Sequence, residues 1–311
     1  MIILMNNKGE KECINPDIKK RPFSRGGRLM VNPVLKSSTL SEPTKEKEGQ
    51  AILVVSFGTT YKDTGAVTID AIEKKMIDTF GAEYAVKRAF TAQRIINKLA
   101  KRDGLKIDNV EEALQKLIAE GIKTLIVQPT HVMHGTEYDD LAEVVNQYAD
   151  QFDNVVIGEP LLTSFDDYEQ VTAIMKEVTA DQNEAGTAIV LMGHGTPHFA
   201  NATYACFQTY LQHKVGRNYF VGTVEGYPTI QEVIEDLSLT EAKKVVLYPF
   251  MIVAGDHANN DMAGDGEDSW ARQLKKQGYE VHVVLKGLGQ YEAIQLMYIK
   301  HAQAAMEQLG L

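Results

Sequence analysis

Residues 51–57 (AILVVSF) form a continuous apolar run of strand length, the pattern of a strand buried on both faces. A stretch of helical period follows at 65–80, then a second strand at 84–90 (YAVKRAF). Helical stretches at 91–104 and 110–121 lead to a third strand at 123–132 (KTLIVQPTHV). A further helix at 137–152 precedes a fourth strand at 154–162. Strands alternating with helices predict a parallel α/β sheet.

The same order then recurs. TAIVLMGHGT (187–196) resembles QAILVVSFGT (50–59), matching Gly58 with Gly195 and Thr59 with Thr196. Residues 219–237 resemble 84–99, and 242–262 resemble 121–141, matching Pro129 with Pro249 and Gly135 with Gly255. Residues 279–289 resemble the fourth strand. Four similarities in one order predict two copies of an α/β unit, with the boundary in the helical region near 163–186. The division expected is an extension at 1–47, a first half at 48–165 and a second at 166–311. Ligands of open α/β sheets bind beyond the carboxyl ends of the strands, so the cleft between the halves is the expected site.

Composition changes this picture only at the amino end. The first fifty residues hold ten Lys/Arg against six Asp/Glu, a net of +4 in a chain of −10, which leaves −14 on the rest. They carry little periodicity and the turn-rich run RPFSRGGRLMVNP, and residues 1–47 are read as a disordered or non-native extension. Their opening apolar run is shorter than the roughly 7–15 residues of a secretory core. An acidic body argues against nucleic acid as a partner. No run approaches the roughly 20 apolar residues that span a bilayer, so no membrane partner is expected. Two cysteines, Cys13 and Cys206, with no CxxC, give no disulfide framework and point to a cytoplasmic setting. A homo-oligomer is compatible with this reading.

The duplication also supplies an internal control for chemistry. His194 takes the place of Phe57, Glu225 that of Phe90, and Asp256-His257 that of Thr136. All three polar replacements fall at strand carboxyl ends of the second half. Two imidazoles and a carboxylate from three loops can bind a divalent ion and leave coordination positions open. Taken singly, each has a plainer explanation: a turn histidine, a solvated loop carboxylate, a polar-loop histidine. His198 lies four residues after His194, but Pro197 starts the following helix, so the two do not share a helix face; His198 is read as a pocket residue. His131 and His134, in PTHVMHG, either line the opposite wall or are satisfied loop histidines. His213, His282 and His301 are read as structural or solvated, and Cys206 as a small core residue. No GxxxxGK[ST], GxGxxG or GxSxG is present.

At these residues the chain resembles a known family over 50–311. LVVSFGTTYKDT, QPTHVMHGTEYDDL, MGHGTPH, VEGYP and YPFMIVAGDHANNDM are similar to segments of the class II tetrapyrrole chelatases, specifically the anaerobic cobalt chelatases of cobalamin synthesis (the CbiK type). The MHG of the first half departs from the family pattern at that loop. The resemblance implies a chelatase-like α/β fold: two similar domains, each a parallel sheet flanked by helices, around an active-site cleft. It implies ATP-independent insertion of Co(II), the metal substrate, into sirohydrochlorin or precorrin-2, with no organic cofactor. It places His194, Glu225 and His257 as the catalytic, metal-binding set.

A porphyrin-like substrate rich in carboxylates needs cations at its rim. Lys87, Arg88 and Arg94, around the end of the second strand, are the candidates, with His131 and His198 as further substrate-binding residues. A haem or metal carrier using the same cleft, and a chelatase for iron or nickel, are the alternatives. Ligand type does not separate these metals.

Overall fold

The computed structural model describes residues 3–5, 11–13, 39–41 and 49–311. Ile3–Met5 (β1) and Lys11–Cys13 (β2) pair antiparallel within a unit of their own, Met1–Val31. Most of the stretch read as an extension lies outside the described residues. Thr39–Ser41 (β3), inside that stretch, belongs to the larger unit and pairs as an antiparallel edge strand.

The first half runs Gln50–Ser56 (β4), Lys62–Val67 (α1), Ile69–Phe80 (α2), Ala85–Phe90 (β5), Gln93–Asp103 (α3), Val110–Ala119 (α4), Thr124–Pro129 (β6), Thr136–Tyr148 (α5) and Asn154–Ile157 (β7). Its sheet has the order β3-β5-β4-β6-β7, parallel except for β3. After Phe165–Thr179 (α6) the second half runs Thr187–Gly193 (β8), Ala202–Lys214 (α7), Tyr219–Thr223 (β9), Ile230–Ser238 (α8), Lys244–Pro249 (β10), Trp270–Lys276 (α9) and Glu280–Val283 (β11). That sheet has the order β11-β10-β8-β9 and is wholly parallel. The single helix read at 65–80 is two, broken at Thr68, whose hydroxyl donates back to the Thr64 carbonyl instead of continuing the turn.

The continuous apolar runs reflect burial on both faces. Ala51, Leu53 and Val55 of β4 pack with α4 and α5, while Ile52 and Val54 point the other way. In β8, Ile189 and Leu191 join the same cluster as Ile52 and Val54, and Ala188, Val190 and Met192 pack with α8 and α9. The shared cluster takes in α2, α6 and α7 and the last helix, Glu292–Gln308 (α10), so one core runs through both halves.

That last helix departs from the division at 166. Although α10 closes the second half in sequence, it packs against β6, β7 and α2. The buried Tyr298 hydroxyl donates to the carbonyls of Thr130 and His131 at the end of β6. His301 bonds the Asp167 carboxylate at 2.9 Å and the Glu159 carbonyl at 3.1 Å. The halves are therefore interlocked, and the end of β6, which lines the cleft, is held from behind. Among the described residues no helix is long and apolar enough to cross a membrane.

Candidate metal and substrate site

The carboxyl ends of β4, β6, β8 and β10 open into a cavity of about 690 Å³. The first half lines it with 56–61, 92–95 and 130–133 among others, the second with 194–196, 250–253 and 255–257.

Local backbone chemistry builds the second-half wall. Gly195 follows His194 with φ +83°, a conformation that favours glycine. A side chain there would also collide with the loop after β9, coming within 2.4 Å of the Gly226 nitrogen and 2.9 Å of the Glu225 carbonyl carbon. The absence of a Cβ lets the two loops touch. The backbone N–H of Glu225 then donates to the His194 carbonyl at 2.7 Å, which sets Glu225 beside His194. From below, the Tyr204 hydroxyl accepts the Gly195 N–H, and burial pushes that phenol up to about 12. His257 arrives from the loop after β10, where it caps a π-helical turn, Ala258–Met262.

The three sequence candidates converge. One donor atom from each of His194, Glu225 and His257 lies within 4.8 Å of the others. The two imidazoles meet edge to face, 4.7 Å between centroids, and His194 Nε2 stands 4.0 Å from a Glu225 oxygen. Both rings are oriented from behind. His194 Nδ1 donates to the Gly195 carbonyl and His257 Nδ1 to an Asp261 carboxylate oxygen, each at 2.8 Å. These acceptors fix the proton on Nδ1 and leave Nε2 as the free lone pair in both rings. Metal bonds of about 2.0–2.2 Å separate neighbouring donors by roughly 3–4 Å, so the trio stands slightly wider than a bound ion would hold it. Glu225 is 56% exposed and stands outside the cavity wall, so it faces the solvent side of the trio.

The other candidates separate. Arg94 lines the cavity from α3, together with Lys98 one turn further on, which sequence reasoning missed. Arg88 does not reach the cleft. It is 2% exposed, and its guanidinium pairs with Asp70 and Glu73, one turn apart on α2. Burial works against that charge, but the Glu73 and Asp70 carboxylates outweigh it and raise the guanidinium pKa. Lys87, on the other face of β5, is also buried and reaches Glu120 at 3.1 Å. Both belong to the fold and not to a substrate rim: interior strand residues point into the layers and not along the strand toward the cleft. His198 is likewise corrected. Its Nδ1 accepts the Ala200 N–H and its Nε2 pairs with Asp139 of α5 at 3.2 Å, so it ties the halves together beside the cavity without lining it.

His131 lines the cavity with both ring nitrogens sealed from solvent and without a hydrogen-bond partner. Desolvation lowers its pKa to about 4 and keeps it neutral. His134 instead pairs with Glu159 at 2.7 Å and packs edge-on to Tyr138.

Strand pairing also revises the internal comparison. Ser56 opposes Phe90 in the first sheet, and its equivalent Gly193 opposes Thr223 in the second. The counterpart of Glu225 is therefore Ala92, not Phe90. The match of Tyr84 with Tyr219 shifted the two strands by two residues, because Tyr84 precedes its strand and Tyr219 begins one. The third loop was in register at Pro129 and Pro249, which makes Glu137 the counterpart of His257. Glu137 lines the cavity, as do Tyr61 and Asp256, whose side chains meet at 3.1 Å with the phenol donating. The first half thus keeps one carboxylate where the second carries the three converging candidate donors.

Comparison with known proteins identifies the family. Residues 50–307 match the family model described as cobalt chelatase (CbiK). The sirohydrochlorin cobaltochelatase of Salmonella typhimurium is 38% identical over 260 residues, covering 83% of this chain and 96% of that protein. Sirohydrochlorin cobaltochelatase CbiKC of Nitratidesulfovibrio vulgaris is 31% identical over 262 residues, 84% of this chain and 92% of that one. Among solved structures, SirB from Bacillus subtilis with Fe3+ superposes with a TM-score of 0.58 at 14% identity, over 84% of this chain and 97% of SirB. CbiX, the terminal enzyme of siroheme biosynthesis in denitrifying bacteria, gives 0.51 at 16% identity, over 82% of this chain and 99% of CbiX. At such identities these two attest the fold alone.

Proposed function

Because this chain belongs to the cobalt chelatase (CbiK) family, we propose that it inserts Co(II) into sirohydrochlorin in the cleft between its halves, without ATP. The observation that carries the reading is the convergence of His194, Glu225 and His257 beside a cavity of about 690 Å³. Pockets of this order enclose small organic molecules.

The Nε2 atoms of His194 and His257 and the Glu225 carboxylate hold the incoming ion. Three protein donors leave positions open through which ring nitrogens replace them. Insertion exchanges two pyrrole N–H bonds for bonds to the metal, so two protons must leave. Glu137 on the first-half wall accepts one, and Glu225, once the ion has passed to the ring, accepts the other and releases it to the solvent it faces. Neutral His131 adds no positive charge to a site that receives a dication. The phenyl ring of Phe57, 47% exposed in the cavity where the second half has its histidine, offers the macrocycle an apolar surface. Arg94 and Lys98 face the substrate carboxylates. Shape complementarity to a distorted ring supplies the strain that turns its lone pairs toward the ion.

The test is an absorbance assay of sirohydrochlorin with Co(II), Fe(II) or Ni(II), on wild type and His194→Ala. The reading requires Co(II) insertion by the wild type and its loss, by at least tenfold in kcat/KM, in the variant. Wild-type protein that binds Co(II) but never yields the metallated ring supports a carrier instead. Faster insertion of iron or nickel than of cobalt reassigns the metal.

A further inference from the structure

The two imidazoles of the metal site are held at equal distances by unequal partners. His194 Nδ1 donates to a neutral backbone carbonyl, that of Gly195, whereas His257 Nδ1 donates to the Asp261 carboxylate. We propose that Asp261 is a positioning residue that locks His257 with Nε2 toward the ion and makes it the tighter of the two imidazole ligands. The inference rests on the metal-site reading above and adds to it a division of labour between the ligands.

The local structure is built for this contact. Asp261 lies four residues after His257 on the π-helical turn that His257 caps. Such turns are rare and concentrate at functional sites. Two asparagines pin the segment. Asn259 donates to the carbonyls of Ala254 and Gly255, and Asn260 donates to Asp256. With the backbone fixed on both sides of His257, the remaining freedom is rotation of the ring, and the bond to Asp261 removes it.

The consequence follows from charge. A hydrogen bond to an ionised acceptor is roughly twice as strong as one to a neutral carbonyl. A carboxylate behind a metal-bound imidazole also raises its basicity, and losing such a partner typically costs 10–100-fold in metal affinity. The Gly195 carbonyl confers no comparable gain on His194. An ion that is a substrate must be captured and then surrendered. One firm and one yielding imidazole suit that task better than two firm ones.

The probe is Co(II) alone, titrated into metal-free protein and followed by its visible absorption. Asp261→Asn keeps a side chain of the same shape and removes the charge. Asp261 is 42% exposed, so the replacement leaves no cavity, and a thermal melt matching wild type verifies the fold. The Kd should rise 10–100-fold in Asp261→Asn, and by the same factor when the change is made in His194→Ala. In His257→Ala it should add nothing, because the residue through which Asp261 acts is gone. A Kd within twofold of wild type overturns the proposal, as does an equal loss in the His257→Ala background. If His257→Ala itself binds Co(II) like wild type, the metal-site reading falls and takes this inference with it. A null result for Asp261→Asn beside a strong effect of His257→Ala refutes the Asp261 role only.

Discussion

Replacing His131 by methionine, the residue that its counterpart Met251 already carries, should make the protein more resistant to acid. In the native protein desolvation holds the His131 pKa at about 4, against 6.5 for an unperturbed imidazole. The residue as a whole is partly exposed, but the nitrogens that carry the proton are sealed off, so the lowered value is the relevant one. Because the native pKa lies below that of the unfolded chain, the unfolded state takes up the proton first as pH falls. The contribution to stability is complete above pH 6.5 and is lost progressively as the pH drops toward 4. The full difference is about 3 kcal/mol, of which about 2 kcal/mol has gone by pH 5. Methionine has no proton to take up and leaves no orphaned nitrogens, each of which costs about 1–3 kcal/mol when buried. At pH 8 the variant should therefore match or exceed the wild type. Between pH 8 and pH 5 its advantage should grow by about 2 kcal/mol. Urea unfolding followed by the fluorescence of Trp270, the single tryptophan and 4% exposed, measures both. Carboxylate titrations are common to both proteins and cancel in the difference. An advantage that stays constant from pH 8 to pH 5 would refute the claim that His131 is buried as a neutral ring.

Three further outcomes test other parts of the structure. Gly195→Ala places a methyl group 2.4 Å from the Gly226 nitrogen at a positive φ; it should push the Glu225 loop away and weaken Co(II) binding at least tenfold, measurable by titration. Charge reversal at Arg94, or at Arg94 and Lys98 together, should raise the KM for sirohydrochlorin severalfold while the Kd for Co(II) stays put, and an unchanged KM removes α3 from the substrate rim. Arg88→Met strands Asp70 and Glu73 in the core and should destabilise the protein by about 3–5 kcal/mol in denaturant unfolding; a loss below 1 kcal/mol would mean that the carboxylates simply take up protons.

The chain by itself determined the strand order and the repeat, and it singled out the three side chains that converge at the cleft. Those signals are local. An apolar run of strand length with GHG at its end specifies a buried strand followed by a tight turn whatever surrounds it, and a departure from an internal repeat is visible in the letters. Tertiary structure decided what depends on direction and pairing. Lys87 and Arg88 look like a basic rim until the sheet turns them into opposite layers, where Glu120, Asp70 and Glu73 receive them. The true counterparts of Glu225 and His257, Ala92 and Glu137, emerge from hydrogen-bond register, because two misplaced tyrosines outweigh it in the letters. The return of α10 onto β6 and the grip of Asp261 on His257 also belong to the folded state. The first needs long-range burial to offset chain entropy, and the second needs a turn geometry that the three intervening letters do not spell out.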